Sequence, residues 1–185
     1  MSQAPGPTMK IDVVDPADRV VGSTLRKDVF QQKDAFRVVH VFIFDHRRRL
    51  LLQQLAPTRD RNPLHWGSSV AAYLFTGETY EEAAERRLAQ ELEVRGARLR
   101  EVGRTTMLDQ GVVKFIALFE TVWSHKIHPD PTHIADVKWF SLAEVDRAIR
   151  ARSIRFTPTF LEVYPFYRIS RPAKGPRRRS GGNVG

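Results

Sequence analysis

The sequence predicts an α/β sandwich built on a mixed β-sheet. Two observations carry that prediction. Segments dense in β-branched and aromatic residues, led by residues 37–44, are interspersed with segments whose apolar residues recur every three or four positions. Two of the helical segments also open on a capping box, Thr79 with Glu82 and Ser141 with Glu144. Mixed strands and helices in this order argue for helices laid on a sheet rather than for a bundle. At 185 residues, 42% of them hydrophobic, the chain fits one domain with a substantial core.

In chain order, Lys10 to Val14 is a short alternating run. It is followed by a turn at Asp15-Pro16-Ala17-Asp18 and a return over Val20 to Gly22, which predicts a hairpin. Residues 37–44 (Arg-Val-Val-His-Val-Phe-Ile-Phe) predict a strand, Asp45 to Arg49 a charged turn, and Leu50 to Leu55 the returning strand. Residues 56–63, with two prolines and three charges, predict an exposed loop, and residues 66–74 one strand leading to a helix. In that helix Ala83, Ala84, Leu88 and Leu92 form the apolar face. Residues 99–108, 112–123 and 136–140 predict three more strands. Ser141 opens a second helix with Leu142, Val145 and Ile149 on one side, and Pro158 suits the first turn of a last helix.

Composition narrows the function classes. There is no apolar run of membrane-spanning length and no charged start followed by an apolar segment, so neither a membrane partner nor a signal peptide is expected. The absence of cysteine excludes disulfides, thiolate nucleophiles and Cys-ligated zinc, and fits a cytoplasmic location. The net charge of +9 is uneven. Residues 168–185 hold six basic residues and no acid, leaving +3 on the rest. That Gly-, Pro- and Ser-bearing end is expected to be a disordered basic tail, as residues 1–9 are expected to be a flexible start, with the domain proper spanning 10–167. A solvated end is the plainer reading of the tail; a weak contact with nucleic acid is the alternative. The sequence carries no sign of oligomeric state.

The chemistry concentrates in residues 77–94. Cleaving a phosphoanhydride requires screening of phosphate charge and activation of a water, which Mg²⁺ supplies when carboxylates hold it. Carboxylates three or four apart on a helix share a face and can do so. Here Glu78 precedes Arg86-Arg87-Leu88-Ala89-Gln90-Glu91-Leu92-Glu93-Val94. The spacing resembles the box of the Nudix family: a glycine, five residues, a glutamate, seven residues, then Arg-Glu-apolar-any-Glu-Glu-any-Gly-apolar. Glu78, Arg86, Leu88, Glu91 and Val94 match it. Ala72, Arg87, Gln90 and Glu93 stand where the pattern has glycine, glutamate, glutamate and glycine. The flanking runs 38–44, 50–54, 66–70, 137–145 and 156–158, in that order, resemble the subgroup near isopentenyl diphosphate isomerase.

The resemblance implies a Nudix α/β/α sandwich. It also implies that Glu78 steadies Arg86, and that Glu91 binds Mg²⁺ or Mn²⁺ with Gln90 as a neutral oxygen ligand. The isomerase's catalytic cysteine and metal-binding histidine correspond to Ala71 and Tyr73, so its proton-transfer thiol is absent. Its later acidic pair falls near Val112 and Lys114, with Asp109 as a substitute. Arg87, Gln90 and Glu91 together carry no net charge. An arginine about 4 Å from Mg²⁺ opposes each unit of metal charge by roughly 4 kcal/mol at an effective dielectric near 20, so metal binding is expected to be weak.

Two functions follow as expectations. One is a divergent metal-assisted hydrolase of a nucleoside diphosphate derivative or similar phosphorylated molecule, with Glu91, Glu78 and Arg86 in catalytic roles and Arg87, Lys114, Arg59 and Tyr73 meeting substrate. The other is a non-catalytic binder of a phosphorylated ligand in which Arg87 replaces the metal as counter-charge, since guanidinium suits bidentate phosphate contact. The bland alternatives are a solvated helix face for Glu81 and Glu85, a satisfied core position for His40, and surface positions for His125, His128 and His133.

Overall fold

The structure is a computed structural model that describes residues 9–170; the greater part of the basic tail, residues 171–185, lies outside the described residues. The elements are β1 (Lys10–Val14), β2 (Val20–Leu25), α1 (Val29–Gln32), β3 (Phe36–Phe44), β4 (Leu50–Leu55), β5 (Trp66–Gly67), β6 (Val70–Tyr73), α2 (Tyr80–Leu92), β7 (Arg100–Asp109), β8 (Val112–Val122), β9 (Ile134–Phe140), α3 (Leu142–Ala151) and α4 (Pro158–Ser170).

Strand β3 organises the sheet, and its composition explains why. Eight of its nine residues are buried, as expected of a strand covered on both faces. Val39, Val41 and Ile43 belong to one core cluster with Ala83, Ala84, Leu88 and Leu92 of α2. Phe36, Phe42 and Phe44 alternate with them and belong to the other, with Val145 of α3 and Phe160, Val163 and Tyr167 of α4. These two clusters are the two sides of an α/β/α sandwich. The sheet is mixed: β3 runs parallel to β8 from Phe36↔Lys114 to Phe44↔Val122, and antiparallel to β6 and β4.

The β3–β4 pairing places the site. The two strands meet in register only at Phe44↔Leu50. Beyond it, β3 continues beside β6 and β8, whereas β4 continues beside β5 and β9. The gap that opens between them is the cleft described below.

Three local features differ from the sequence reading. Residues 66–74 form two strands, because β5 pairs with β4 and β6 pairs with β3. The switch falls at Ser68-Ser69, where Ser69 Oγ accepts from Ile43 N (2.8 Å) and donates to Leu51 O (2.6 Å), joining the two halves of the sheet. Helix α1 was not expected; four residues are too few to show a helical period. Helix α4 takes in residues 168–170, three positions that the sequence reading places in the tail.

Candidate functional site

A cavity of about 160 Å³ occupies the gap between β3 and β4. Val38 and His40 reach it from β3, Gln53 from β4, Ala71, Ala72 and Tyr73 from β6, Arg87 and Glu91 from α2, Lys114 from β8, and Thr159 from α4. The loop after β4 adds Arg59, Asp60 and Arg61. Among the described residues, five basic and three acidic side chains line the cavity, so the lining is cationic.

The helix that delivers Arg87 and Glu91 is set locally. Thr79 Oγ1 accepts from Glu82 N (3.2 Å) and Glu82 Oε2 accepts from Thr79 N (2.8 Å), completing the capping box read from the sequence. Ahead of it, Gly77 turns the chain at φ +83°, a conformation glycine adopts without strain. Glu78 then meets Arg86 through two parallel bonds, Nε to Oε1 (2.6 Å) and Nη2 to Oε2 (2.8 Å). Glu78 Oε2 also accepts from Phe75 N (2.7 Å), and Arg86 Nη2 donates to Tyr73 O (3.0 Å). Arg86 therefore ties the start of α2 to the end of β6. Neither Glu78 nor Arg86 lines the cavity. Gln90 does not line it either, and its Oε1 receives Arg86 Nη1 at 3.4 Å.

Arg87 and Glu91 lie one turn apart, form an ion pair, and are each 2% exposed at the side chain. Gln53 Nε2 donates to Glu91 Oε2 (3.3 Å). Burial pushes the Arg87 pKa below its usual value; Glu91 opposes the shift, and Arg59 and Arg86 add to it. Arginine stays protonated regardless. Arg87 Nε and Nη1, Gln53 Oε1 and Arg59 Nε are buried and have no hydrogen-bond partner.

Elsewhere on the lining, Lys114 Nζ sits 2.5 Å from Asp109 Oδ2 and donates to Thr159 Oγ1 (3.0 Å). Arg61 Nη2 takes the other Asp109 oxygen at 2.6 Å. Burial works against the Asp109 charge, yet the hydrogen bonds from Arg61 and Lys114 outweigh it and hold the carboxyl below its usual range. Burial pushes Lys114 down, with Asp109 opposing. His40 Nδ1 bonds Ser68 Oγ (2.8 Å), and burial, helped by the charge of Lys114, lowers its pKa to about 3. His40 is thus both a satisfied buried histidine and a cleft residue, and it is neutral at physiological pH. The ring of Tyr73 stacks on Phe36 (5.3 Å) and lies under the Arg26 guanidinium (5.3 Å). Arg26 in turn pairs with Asp60 (2.8 Å).

Five residues singled out in the sequence (Glu91, Arg87, Lys114, Arg59 and Tyr73) therefore converge on one cavity, while Glu78, Arg86 and Gln90 do not reach it. Arg26, Gln53, Asp60, Arg61 and Thr159 were missed. Gln53 had the signal of a Gln in an apolar strand, Asp60 and Arg61 that of a charged loop, and Arg26 and Thr159 had none.

The donor set tests the expected metal. Mg²⁺ and Mn²⁺ take several oxygen ligands, carboxylates first. Each carboxylate of the cavity already carries a protein cation: Asp60 pairs with Arg26, Glu91 with Arg87, and Asp109 with Arg61 and Lys114. Among the described residues no three His, Asp or Glu side chains are grouped to hold a metal ion. These residues do not fit a resident divalent cation; the arginine at position 87 both removes one carboxylate from the helix face and occupies the next.

Residues 34–160 match the family model described as NUDIX domain. The chain is 34% identical over 166 residues to an isopentenyl-diphosphate Delta-isomerase of Nocardia farcinica, covering 84% of this chain and 92% of that protein. It is 28% identical over 169 residues to an uncharacterized Nudix hydrolase of Streptomyces coelicolor, covering 90% and 92%. The crystal structure of DR0079 from Deinococcus radiodurans superimposes with a TM-score of 0.75 at 23% identity, over 85% of this chain and 98% of that one.

Proposed function

From the premise that this chain belongs to the Nudix family, we propose that it binds a phosphorylated small molecule in the β3–β4 cleft, using fixed guanidinium and ammonium groups where relatives of the family pattern would use metal. The observation that carries this reading is the buried Arg87, whose Nε and Nη1 lack partners while its Nη2 holds Glu91. Unsatisfied buried donors are costly, about 1–3 kcal/mol each, and a phosphate oxygen would relieve them. Arg59 contributes a further orphaned donor on the cavity wall. Neutral His40 and the Lys114–Asp109–Arg61 cluster keep the rest of the lining polar without adding net negative charge.

The test is isothermal titration calorimetry with inorganic phosphate and inorganic diphosphate in excess EDTA. Binding that persists in EDTA and drops at least tenfold in Arg87→Gln is expected. Binding that appears only when Mg²⁺ or Mn²⁺ is restored would overturn the proposal.

A hydrolytic reading has one specific observation behind it. It is the bidentate Glu78–Arg86 pair with Glu91 on the cavity lining, and it is supported by relatives that carry the name Nudix hydrolase. Phosphate release from nucleoside diphosphate derivatives with added Mg²⁺ or Mn²⁺, lost in Glu91→Gln, would establish it. The relative named for isopentenyl diphosphate also carries a diphosphate in its name. Ala71 lines the cavity here, at the position where the resemblance places that enzyme's thiol, so the cleft keeps the means to hold an anion without that proton donor.

A further inference from the structure

Resting on the phosphate-binding reading, we infer that the ligand is a small phosphate ester bearing a hydroxyl close to the phosphate, of glycerol or pentose size, and not a nucleotide held through its base. Orphaned groups of opposite polarity on one cavity point to it. Arg87 Nε and Nη1 and Arg59 Nε are donors awaiting an anion, whereas Gln53 Oε1 is an acceptor awaiting a donor. Gln53 is 3% exposed, and its amide is oriented by chemistry: Nε2 faces the Glu91 carboxylate, so turning the amide over would set oxygen against oxygen.

Phosphate alone cannot satisfy Gln53 Oε1 at neutral pH as well as an alcohol O–H can, because the anion presents mainly acceptors. A ligand that carries both an anion and a nearby hydroxyl satisfies all four atoms. Gln53 and Arg87 both contact Glu91, which keeps the two demands close together.

The cavity argues against a base. Among the described residues, Tyr73 is its one Phe, Tyr or Trp lining residue, and its ring is engaged by Phe36 and by Arg26; the other aromatic ring, His40, is held by Ser68. The aliphatic side chains of Val38, Leu55 and Pro158 accommodate a short carbon chain.

The test is calorimetric titration of the full chain in EDTA with methyl phosphate, glycerol 3-phosphate, ribose 5-phosphate and adenosine 5′-monophosphate. Glycerol 3-phosphate and ribose 5-phosphate are expected to bind about tenfold more tightly than methyl phosphate, the value of one hydrogen bond to a buried acceptor. In Gln53→Met that ratio is expected to fall to about one. The nucleotide is expected to bind no more tightly than ribose 5-phosphate.

Equal affinity for methyl phosphate and the hydroxylated esters overturns the inference and leaves the phosphate reading standing. Tenfold tighter binding of the nucleotide than of ribose 5-phosphate does the same. If none of the four compounds binds, the phosphate reading itself fails and the inference falls with it. Should Gln53→Met not fold, the ligand series on the unaltered protein decides alone.

Discussion

The replacement of a carboxylate by Arg87 changes what one helix turn can do. A buried ion pair is a weak source of stability but an expensive one to break, because the survivor is left charged and dry. Arg87→Ala is therefore expected to destabilise the protein by about 3–5 kcal/mol in chemical denaturation, and Arg87→Met combined with Glu91→Leu to recover most of that loss. A double variant as unstable as the single one would show that the pair is not acting as a unit. His40 makes a different prediction. Its pKa is depressed to about 3 in the fold against 6.5 in an unperturbed histidine. Between those values the unfolded chain binds a proton that the native protein refuses. Its contribution is full above pH 6.5 and declines as pH falls toward 3, by up to about 1.4 kcal/mol per pH unit. His40→Asn should flatten the part of the stability loss between pH 6.5 and 4 that unaltered protein shows in urea titrations; an identical slope would refute the assignment.

At the scale of elements, helix α2 shows how a box position becomes intelligible. Glu93 stands where the family pattern has glycine, and the structure puts it in the left-handed region at φ +56°, capping the helix. Its N–H bonds Leu88 O, and the N–H of buried Val94 bonds the same carbonyl. Glycine reaches this conformation without a side-chain penalty. Glu93→Gly is expected to stabilise the protein by about 0.5–1 kcal/mol and to raise the melting temperature by roughly 1–4 °C in calorimetry. Thr79→Ala should act in the opposite direction by about 1 kcal/mol, through loss of the capping box. Thr79 was legible because a capping box is written in neighbouring residues, whereas Glu93 was visible only as a departure from the family pattern and its capping role came from the structure. The break between β5 and β6 was not legible. Residues 66–74 look like one strand, and only the divergence of β3 from β4 makes the chain change partners at Ser68-Ser69.

At the scale of the whole molecule, the charge is distributed in two ways that bear on binding. The cleft is cationic within the folded body, and residues 171–185 carry five basic side chains and no acid. If that end contacts polyanions, its deletion should lower the salt needed to elute the protein from a phosphocellulose column; unchanged elution would sink the idea. No helix among the described residues is long and apolar enough to cross a membrane.

By itself the sequence determined most of the elements and boundaries, the two capping boxes and the sandwich class, though not helix α1 or the break between β5 and β6. Each rests on periodicity or on residues within a turn of one another. The family resemblance, rather than any local pattern, implied a Glu78–Arg86 pair, and the two side chains are joined in the fold. The tertiary structure alone decided which charges share a cavity. Gln53, Asp60, Arg61 and Asp109 are scattered over more than fifty positions, and nothing local distinguishes a cleft residue from a solvated one. Whether Glu91 is a ligand awaiting a cation or a partner already taken depends on the rotamer and burial of Arg87. Those are set by packing across the β3–β4 gap, a property no stretch of the chain carries alone.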